Sequence, residues 1–464
     1  TMKKNEKRKL WKQGLGTALV CGLAVAVFPA AKADAADLLK AGPINTTAEH
    51  VTQNQPFAER TAGSQYFRIP AFIVTQKGNL LAAADARYST TGDGGGLDTI
   101  ASVSTDNGKT WNYSFPLYFP DSDGYIGNTA TTIIDPALVQ GKDGEIYCIA
   151  DVNPTGVTTM GGYKAPGEGT GYVKVNGKDY LAVTDNYDNV NTQPKDDDAT
   201  TYAYYVGDWD ENGYAKILKR SDHSETGYGV DKWYNLYKVE NGEYKDTLTQ
   251  KQVNSNTDIQ QNIFYKGSAL HVYNTGYMMY AKTYDDGFTW TDPEILNPQI
   301  KRPTKETALL VSPGQGVLTS DGTIVIPFYD HGDGEENASI IWSDDNGKTW
   351  ERSNDVPGAA AGGYWSSESE VVELSDGTLR MFFRSGQGVV CYSDAVRNTS
   401  GDYVFTKPVK TGVSCTSTCN VTAINYSKTI DGKQAILVAA PGGSGRANGK
   451  IFTFLVEEDK TLTL

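Results

Sequence analysis

The chain has 464 residues, enough for one large domain or for two or three ordinary ones. Its formal net charge of −14 argues against nucleic acid and anionic membrane surfaces as partners, because both are themselves negatively charged. Its 49 glycines and 28 tyrosines favour a β-rich protein with many turns.

Residues 1–33 have the pattern of a secretory signal peptide. They contain the basic stretch "KKNEKRKLWK", the apolar stretch "GLGTALVCGLAVAVF" and the small-residue sequence "AKA", which ends at Ala33. The apolar stretch is short for a membrane span, and no second one follows. We therefore expect a secreted or cell-surface protein without a membrane span after signal cleavage, with a linker over residues 34–58.

Four cysteines follow the signal segment: Cys148, Cys391, Cys415 and Cys419. This number is too small for a disulfide scaffold, although Cys415 and Cys419 could pair in an exported protein. The four histidines are scattered along the chain, so we expect no metal site and no cofactor.

A glycine turn followed by a strand recurs along the chain, as in "DGEIYCIAD", "DGTIVIPFYD" and "DGTLRMFFR". Apart from one long gap, the turns repeat at roughly 55–65 residues, and a period of this order with several short strands is typical of a β-propeller. We therefore predict an all-β fold, a six-bladed β-propeller. Its hairpins would turn at Gly78, Gly144, Gly322, Gly377 and Gly432.

The long gap contains an insertion, which the composition places at residues 153–262. This segment is polar and aromatic and holds 12 of the 28 tyrosines, as in "TTYAYYVGDWDENGYAKIL". We predict a small all-β subdomain there, between a first propeller part at residues 59–152 and a second part at residues 263–464. The aromatic side chains could form a sugar-stacking face or could simply pair across strands, and both readings stay open.

A second motif, S/T-x-D-x-G-x-T-W, occurs three times, as "STDNGKTW", "TYDDGFTW" and "SDDNGKTW". Aspartate in such a turn accepts hydrogen bonds from backbone amides, and glycine supplies a positive φ. The motif is shorter than an EF-hand calcium loop and lacks its terminal glutamate. We therefore assign a structural role to Asp106, Asp285 and Asp345. The motif is known as the aspartate box, and three copies resemble the sialidase superfamily.

Charged residues lie at the opposite ends of the predicted hairpins, which in a propeller converge around the axis at one mouth. Guanidinium groups gathered at one place repel each other unless they share an anion, and a carboxylate suits them best. The pattern therefore predicts a site for a carboxylate ligand, with Arg446 from a later loop completing the group. The pairs expected side by side are Arg68 with Arg87, Asp135 with Asp151, Pro313 with Tyr329, and Glu368 with Arg384.

Five segments resemble the motifs of bacterial sialidases of glycoside hydrolase family 33, in the family's order. "YFRIP" resembles the motif with the first arginine of the family's triad, and "ADARYSTTGDGGGLDT" resembles the segment with a further arginine and the acid/base aspartate. "IIDPALV", "SESEVVELSDGTLRMFFR" and "GGSGRANG" resemble the segments with the sugar-contacting aspartate, with a glutamate and the second arginine, and with the third arginine. The resemblance marks these site residues: Arg68, Arg87, Asp93, Asp135, Glu368, Arg384 and Arg446.

The resemblance implies a retaining exo-α-sialidase, a glycoside hydrolase that acts on sialylated glycans. Sialidases use a tyrosine as nucleophile instead of a carboxylate. By the family's pattern, Asp93 would be the acid/base and would have to be protonated, while Glu368 would accept the tyrosine proton. The triad arginines would hold the sialic acid carboxylate, Arg87 would line the site, and Asp135 would contact a sugar hydroxyl.

The nucleophilic tyrosine of the family has no match in this chain. In the family it follows the third arginine on the strand that leads into the last hairpin, and this sequence reaches Leu464 before that strand. Tyr426 matches a different strand position. We therefore expect a C-terminally truncated sialidase whose last blade is incomplete and leaves a strand edge exposed.

Three other functions stay open. An intramolecular trans-sialidase would release 2,7-anhydro-sialic acid, and the long insertion resembles members with that activity. A non-catalytic sialic-acid-binding propeller would keep the arginines without the nucleophile, and an unrelated aspartate-box scaffold would leave the arginines to chance. Single residues also have simpler readings: Arg68 as a structural arginine, Asp93 as a turn residue, Asp151 as a structural acid, and Tyr329 as either a pocket residue or a strand-end filler.

Overall fold

The computed structural model describes residues 39–40, 42–43, 55–88, 91–122, 130–158, 165–195, 201–252, 256–303, 306–332, 334–416, 418–442 and 445–464. The predicted signal peptide and most of the predicted linker lie outside these residues. The regular elements of the described chain are almost all strands, which confirms the all-β prediction, and its one α-helix, α1, is Asn297–Ile300. No helix in these ranges has the length and hydropathy of a membrane span. Single 3-10 turns lie at Thr61–Gly63, Pro120–Ser122, Tyr187–Asn189 and Ala359–Ala361.

Two short strands lie where the sequence predicts only a linker. Strand β1 (Leu39–Lys40) pairs with Thr289–Trp290, and β2 (Gly42–Pro43) pairs with Asn112 and its neighbour Tyr113. These residues add edge strands to two aspartate-box segments, and the linker over residues 34–58 stays a prediction.

The first four-stranded unit runs antiparallel in chain order. From Pro70 to Val74 its first strand alternates exposed and buried residues, the period expected of a strand with one covered face. The next two strands are buried on both faces, because each has a strand on either side and packed layers above and below. The unit consists of β3 (Tyr66–Val74), β4 (Leu80–Arg87), β5 (Leu97–Ser104) and β6 (Asn112–Leu117).

The second unit begins with two strands and is then interrupted. Strands β7 (Thr132–Gln140) and β8 (Ile146–Asn153) pair antiparallel, and almost all of their side chains are buried. The chain leaves the unit after Asn153 and returns at Tyr277, whose strand pairs with β8. The return comes later than residue 263, where the sequence predicts the second propeller part to begin.

The inserted segment forms a sheet of its own. One face of this sheet packs on the first two units, since Leu181, Val206 and Ile217 share a buried cluster with Leu117 and Val152. Its last strand, close to the return point, pairs back onto β10, which is why the insertion extends beyond its predicted end. The strands are β9 (Tyr172–Val175), β10 (Lys178–Thr184), β11 (Tyr204–Trp209), β12 (Tyr214–Lys219), β13 (Glu225–Asp231), β14 (Leu236–Glu240), β15 (Glu243–Lys245), the hairpin β16 (Thr249–Lys251) and β17 (Asp258–Gln260), and β18 (His271–Val272).

After the insertion the second unit is completed and three similar units follow. The second unit adds β19 (Tyr277–Thr283), β20 (Thr289–Trp290) and β21 (Glu294–Ile295). The third contains β22 (Glu306–Val311), β24 (Val317–Leu318), β25 (Ile324–Gly332), β26 (Glu335–Ser343) and β27 (Glu351–Arg352), while β23 (Gly314–Gln315), between β22 and β24, pairs with β7 of the second unit. The fourth contains β28 (Ser369–Glu373), β29 (Leu379–Phe383), β30 (Val389–Arg397), β31 (Tyr403–Phe405) and β32 (Val409–Ser414). The fifth contains β33 (Thr422–Asn425), β34 (Ala435–Pro441), β35 (Gly449–Val456) and β36 (Leu462–Thr463).

Neighbouring units pack on each other through buried apolar side chains. From the second unit onward each contact has its own cluster: Val139 with Ile326, Ile340 with Met381, and Phe382 with Val438. Antiparallel units of about four strands that pack in chain order are the arrangement of a β-propeller. The described residues contain five such units, and the predicted number of six blades stays a prediction.

The glycine turns and the aspartate boxes lie together at one end of the units, which we name the turn end. The five repeat glycines have φ values from 78° to 94°, a conformation that side-chain-bearing residues disfavour. The boxes share one set of contacts. In the second box, Asp285 accepts the backbone N–H and the hydroxyl of Thr289 at 2.8 and 2.6 Å, above the buried Trp290.

The four described cysteines are free thiols. Cys148 and Cys391 are buried, whereas Cys415 and Cys419 are half-buried. The disulfide that the sequence allows between Cys415 and Cys419 is therefore not formed in this structure.

Candidate active site

The hairpin ends opposite the turn end carry the predicted charged residues, and we name them the site end. The first two units each have a bulge there at an X-Pro pair, Ile69 with Pro70 on β3 and Asp135 with Pro136 on β7. Proline donates no ladder hydrogen bond, so it is tolerated in a strand at such an irregularity. Ile69 and Asp135 have φ values of 56° and 61°, a strained conformation for residues with side chains. The strained residues therefore lie at the site end, where β3 and β7 carry their charged residues.

The bulges change which residues face each other in the first two units. Arg68 faces Asp85, whereas the sequence predicts Arg87 as its neighbour. Asp151 faces Ile134 and is next to the bulged residue of β7. An extra residue in one strand shifts every pair beyond it, so counting from the glycine turn cannot give the register.

The remaining two pairs differ in outcome. Tyr329 faces Leu310 and not Pro313, because the chain after β22 turns away to pair with β7. Glu368 and Arg384 are neighbours as predicted, and the Arg384 backbone N–H donates to the Glu368 carbonyl at 2.9 Å.

Asp93 lies between the two arginines of the first unit. Its Oδ1 accepts hydrogen bonds from Nη1 of Arg68 at 2.8 Å and from Nη1 of Arg87 at 2.6 Å. Arg87 also donates to the carbonyls of Thr91 and Gly92 at 2.8 and 2.6 Å, which holds the loop before Asp93. The Arg68 side chain is 27% exposed and that of Arg87 is 0% exposed. Arg68 can therefore present its guanidinium to a ligand, while Arg87 lies behind Asp93 and positions it.

Asp85, which no motif singles out, lies at the base of this group. It is fully buried, and its Oδ2 accepts Nη2 and Nε of Arg87 at 2.6 and 3.2 Å. Its Oδ1 accepts the backbone N–H of Asp135 at 2.9 Å. One carboxylate thus joins the arginine of the first unit to the bulge of the second. Burial raises the pKa of Asp85 to about 6, against the opposing charge of Arg87.

Two acidic side chains of the second unit are buried beside Asp85. Burial, followed by the charges of Asp85 and Glu368, raises the pKa of Asp135 well above its usual range. Burial, followed by the charge of Asp135, does the same for Asp151. The Oδ1 of Asp151 accepts the backbone N–H of Val311 at 2.7 Å, a contact between the second and third units that favours its structural reading.

Glu368 and Arg384 form an ion pair at the site end of the fourth unit. Oε2 of Glu368 and Nη1 of Arg384 are 3.1 Å apart, and both side chains are half-buried. Tyr329 is also buried. Its burial, followed by the nearby charges of Asp135 and Glu368, raises its pKa well above the usual range. The structure therefore brings the predicted residues of four units, Tyr329 among them, into one group.

Arg446 follows β34 and precedes β35. It is exposed, and its Nε donates to the carbonyl of Thr418 at 3.0 Å. Its place as the third arginine of a triad stays a prediction.

The arrangement can bind an anion and move protons. Arg68 and Arg384 offer half-buried guanidinium groups, which form strong charge-assisted hydrogen bonds with carboxylates. Asp93 and Glu368 are partly exposed carboxylates, each beside one of these arginines. Among the described residues no group of three or more His, Cys, Asp or Glu side chains is arranged to hold a metal ion.

Comparison with known proteins identifies the family. Residues 69–461 match the model of the BNR repeat-like domain. The chain is 30% identical over 462 residues to the anhydrosialidase of Macrobdella decora, covering 91% of this chain and 55% of that protein. It is 29% identical over 439 residues to sialidase B of Streptococcus pneumoniae, covering 85% and 56%. The chain thus spans about half the length of these curated relatives.

Solved structures agree with the sequence relatives. The intramolecular trans-sialidase from Ruminococcus gnavus, solved with oseltamivir carboxylate, has a TM-score of 0.71 and 30% identity, covering 86% of this chain and 84% of that one. The leech intramolecular trans-sialidase has a TM-score of 0.74 and 28% identity, covering 90% and 63%. Together with the aspartate boxes and the arginine-carboxylate group at the site end, these matches show that the chain belongs to the BNR-repeat sialidases of glycoside hydrolase family 33.

Proposed function

We propose that this chain carries the substrate-binding and acid/base part of a retaining exo-α-sialidase, which removes terminal sialic acids from glycoproteins, glycolipids or oligosaccharides. The observation that carries the proposal is the presence of two half-buried arginines, Arg68 and Arg384, each beside a site carboxylate. Family membership supports it, because sialic acid presents a carboxylate on its anomeric carbon.

The ligand carboxylate would bind between Arg68 and Arg384. At Arg68 it would compete with Asp93, which occupies that guanidinium in the structure. Asp135 lies close by with a raised pKa, so its neutral form can face the ligand and donate a hydrogen bond without repelling the anion. This matches the sugar-hydroxyl contact that the family resemblance assigns to it.

Proton transfer would then fall to Asp93 and Glu368. Asp93 would donate the proton to the leaving glycosidic oxygen, since its carboxyl group is partly exposed beside Arg68. Glu368, oriented by Arg384, would accept the proton of the nucleophile. The tyrosine that sialidases use has no match in this sequence, so these steps are limited to what the chain's own residues supply.

An intramolecular trans-sialidase is the second candidate. It would use the same carboxylate binding and leaving-group protonation, but a hydroxyl of the sialic acid itself would take the place of water and give 2,7-anhydro-sialic acid. The leech and R. gnavus relatives, whose names state this type of activity, support it.

One experiment separates these functions. The protein, as its gene encodes it, is incubated with sialyllactose, and the products are identified by mass spectrometry. Free sialic acid supports hydrolysis, and a product lighter by one water supports intramolecular transfer. Binding without any product supports a sialic-acid-binding propeller, while a folded protein that fails to bind sialosides contradicts all three.

We also propose export of the protein, from the signal-like pattern of residues 1–33. Immunoblots of culture medium and cell fractions test this. A protein that retains residues 1–33 and stays in the cytoplasm contradicts it.

A further inference from the structure

We propose that the inserted sheet carries a second binding site, for a neutral pyranose unit of a glycan, in a cavity between β10 and β11. The cavity has a volume of about 90 Å³. This is below the roughly 300–1,000 Å³ of enclosed small-molecule pockets, so the cavity would receive one face of a sugar ring rather than enclose it. The residues that define it are Tyr172, Lys178, Tyr180, Asp208, Trp209 and Tyr234.

The cavity exists because two neighbouring strands diverge. Strands β10 and β11 pair at Ala182 and Val183 only, so the ladder ends well before the start of β10. Strand β11 then has an irregular register between Val206 and Trp209. Gly207 lies within this irregular stretch, where a Cβ would meet the Lys216 carbonyl at 3.0 Å and the Leu218 side chain on β12. The divergence of the two strands therefore makes the opening.

The walls of the cavity are aromatic. Trp209 is 37% exposed, and the ring of the buried Tyr234 meets it edge-on with centroids 6.1 Å apart. Tyr234 has a φ of 62°, a costly conformation for an aromatic residue and one that tends to occur at functional sites. Its hydroxyl interacts with that of Tyr172. One face of Trp209 carries the Lys232 ammonium, 4.1 Å from the ring centroid. The other aromatic surfaces are electron-rich, so they suit the C–H face of a pyranose ring.

The charges on the rim are already paired. Lys178 forms an ion pair with Asp208, and the Tyr180 hydroxyl donates to the same carboxylate at 3.2 Å. Lys174 and Asp179 form a second pair at 2.8 Å. An anionic sugar would have to break one of these pairs, whereas a neutral sugar can accept from the lysines and donate to the carboxylates. At the site end the paired cations are instead the guanidinium groups of Arg68 and Arg384, whose planar N–H groups suit a carboxylate.

The insertion is attached at the site end. It begins after Asn153, two residues beyond Asp151, and the chain returns at Tyr277, opposite Val152. The subdomain that carries the cavity therefore joins the propeller at the end where the proposed function places the sialoside. This consequence rests on the proposed function, but binding of a neutral sugar does not.

The test measures saturation transfer by NMR from the protein to lactose and to cellobiose, neither of which contains sialic acid. We expect at least one to bind, and we expect Trp209→Ala and Asp208→Asn each to weaken its affinity about tenfold. The Asp208 side chain is mostly exposed, so its replacement by asparagine leaves the fold intact. Tyr284→Ala, at an exposed tyrosine in the second aspartate box, is the matched control and should have no effect.

An Arg68→Ala variant separates this site from the proposed function. It should lose sialoside binding and keep the neutral disaccharide signal. The proposal is overturned when neither disaccharide binds, when Trp209→Ala and Asp208→Asn bind like the wild-type protein, or when Arg68→Ala abolishes the signal. Melting temperatures of all variants confirm that each is folded.

Discussion

The two ends of the hairpins differ in the sequence range of their contacts. At the turn end, Asp285 binds Thr289, four residues away, and the other two boxes repeat this contact. At the site end, Arg68 binds Asp93 across 25 residues, and Asp85 binds the backbone of Asp135 across 50. A structure made by close neighbours leaves a motif in the sequence, and one made by distant neighbours does not.

The ends also differ in what they do to a carboxylate. Burial raises the pKa of Asp85 at the site end to about 6. At the turn end, partial burial of Asp345 is outweighed by hydrogen bonds from Thr349, and its pKa falls to about 2. The turn end stabilises charged carboxylates through hydrogen bonds from residues that are close in the sequence. The site end instead holds arginines and carboxyl groups together in a buried group. We therefore expect the turn end to set stability and the site end to set both stability and ligand binding.

The largest effect is expected for Asp85→Asn. It removes the buried counter-charge of Arg87, and breaking such a pair costs about 3–5 kcal/mol of unfolding free energy. Sialoside affinity should fall as well, because Asp85 also holds the bulge at Asp135. Urea unfolding and ligand titration measure the two effects. Asp394→Asn, which removes the partner of the buried Arg380 in the fourth unit, should lower stability without lowering affinity.

Arg68→Ala should mainly affect binding. Losing one charge-assisted contact to a carboxylate should weaken sialoside affinity about 100-fold, as measured by calorimetry. Arg397→Ala is the matched control, since Arg397 has a similar exposure of 28% and pairs with Asp344 in the third aspartate box. Equal losses of affinity in both variants would contradict a specific role for Arg68.

Asp285→Ala should affect only stability. It removes two hydrogen bonds from Thr289, so the unfolding free energy should fall by about 1–2 kcal/mol. Sialoside affinity should stay within about twofold, because the box lies at the turn end. A large loss of affinity in a folded variant would show that the two ends are coupled.

The smallest effect is expected in the pH dependence of stability. Asp345 has a lowered pKa, so its contribution is present above the unfolded value of 3.8 and is lost as the pH falls through about 2. Asp345→Asn should reduce the loss of unfolding free energy at acid pH by less than about 1 kcal/mol, because solvent screens the Asp345 carboxylate. Asp85 has a raised pKa, so its contribution is lost in the opposite direction, as the pH rises from 3.8 through about 6.

Unfolding free energies from pH 2 to 7 measure both contributions. Asp85→Asn should remove the decrease in unfolding free energy that occurs as the pH rises through about 6. Asp345→Asn should remove the decrease that occurs as the pH falls through about 2. Changes in unfolding free energy over the same pH range in both variants would contradict the difference between the two ends.

The sequence alone determined the features that depend on neighbouring residues. The glycine turns need a positive φ, the boxes need an aspartate four residues before a threonine, and both are visible as short patterns. The pairing of Glu368 with Arg384 also followed from counting, because no bulge intervenes in that hairpin. The family's site motifs identified most of the site group for the same reason, since each motif is a short segment.

Only the tertiary structure decided the features that depend on burial and register. The bulge at Ile69 placed Arg68 opposite Asp85, and the bulge at Asp135 placed Ile134 opposite Asp151. Two strands joined what looked like a linker. Arg87 and Arg68 look alike in the sequence, yet one is buried behind Asp93 and the other is open to a ligand. Burial and register arise from contacts between units that are distant in the chain, so no local pattern records them.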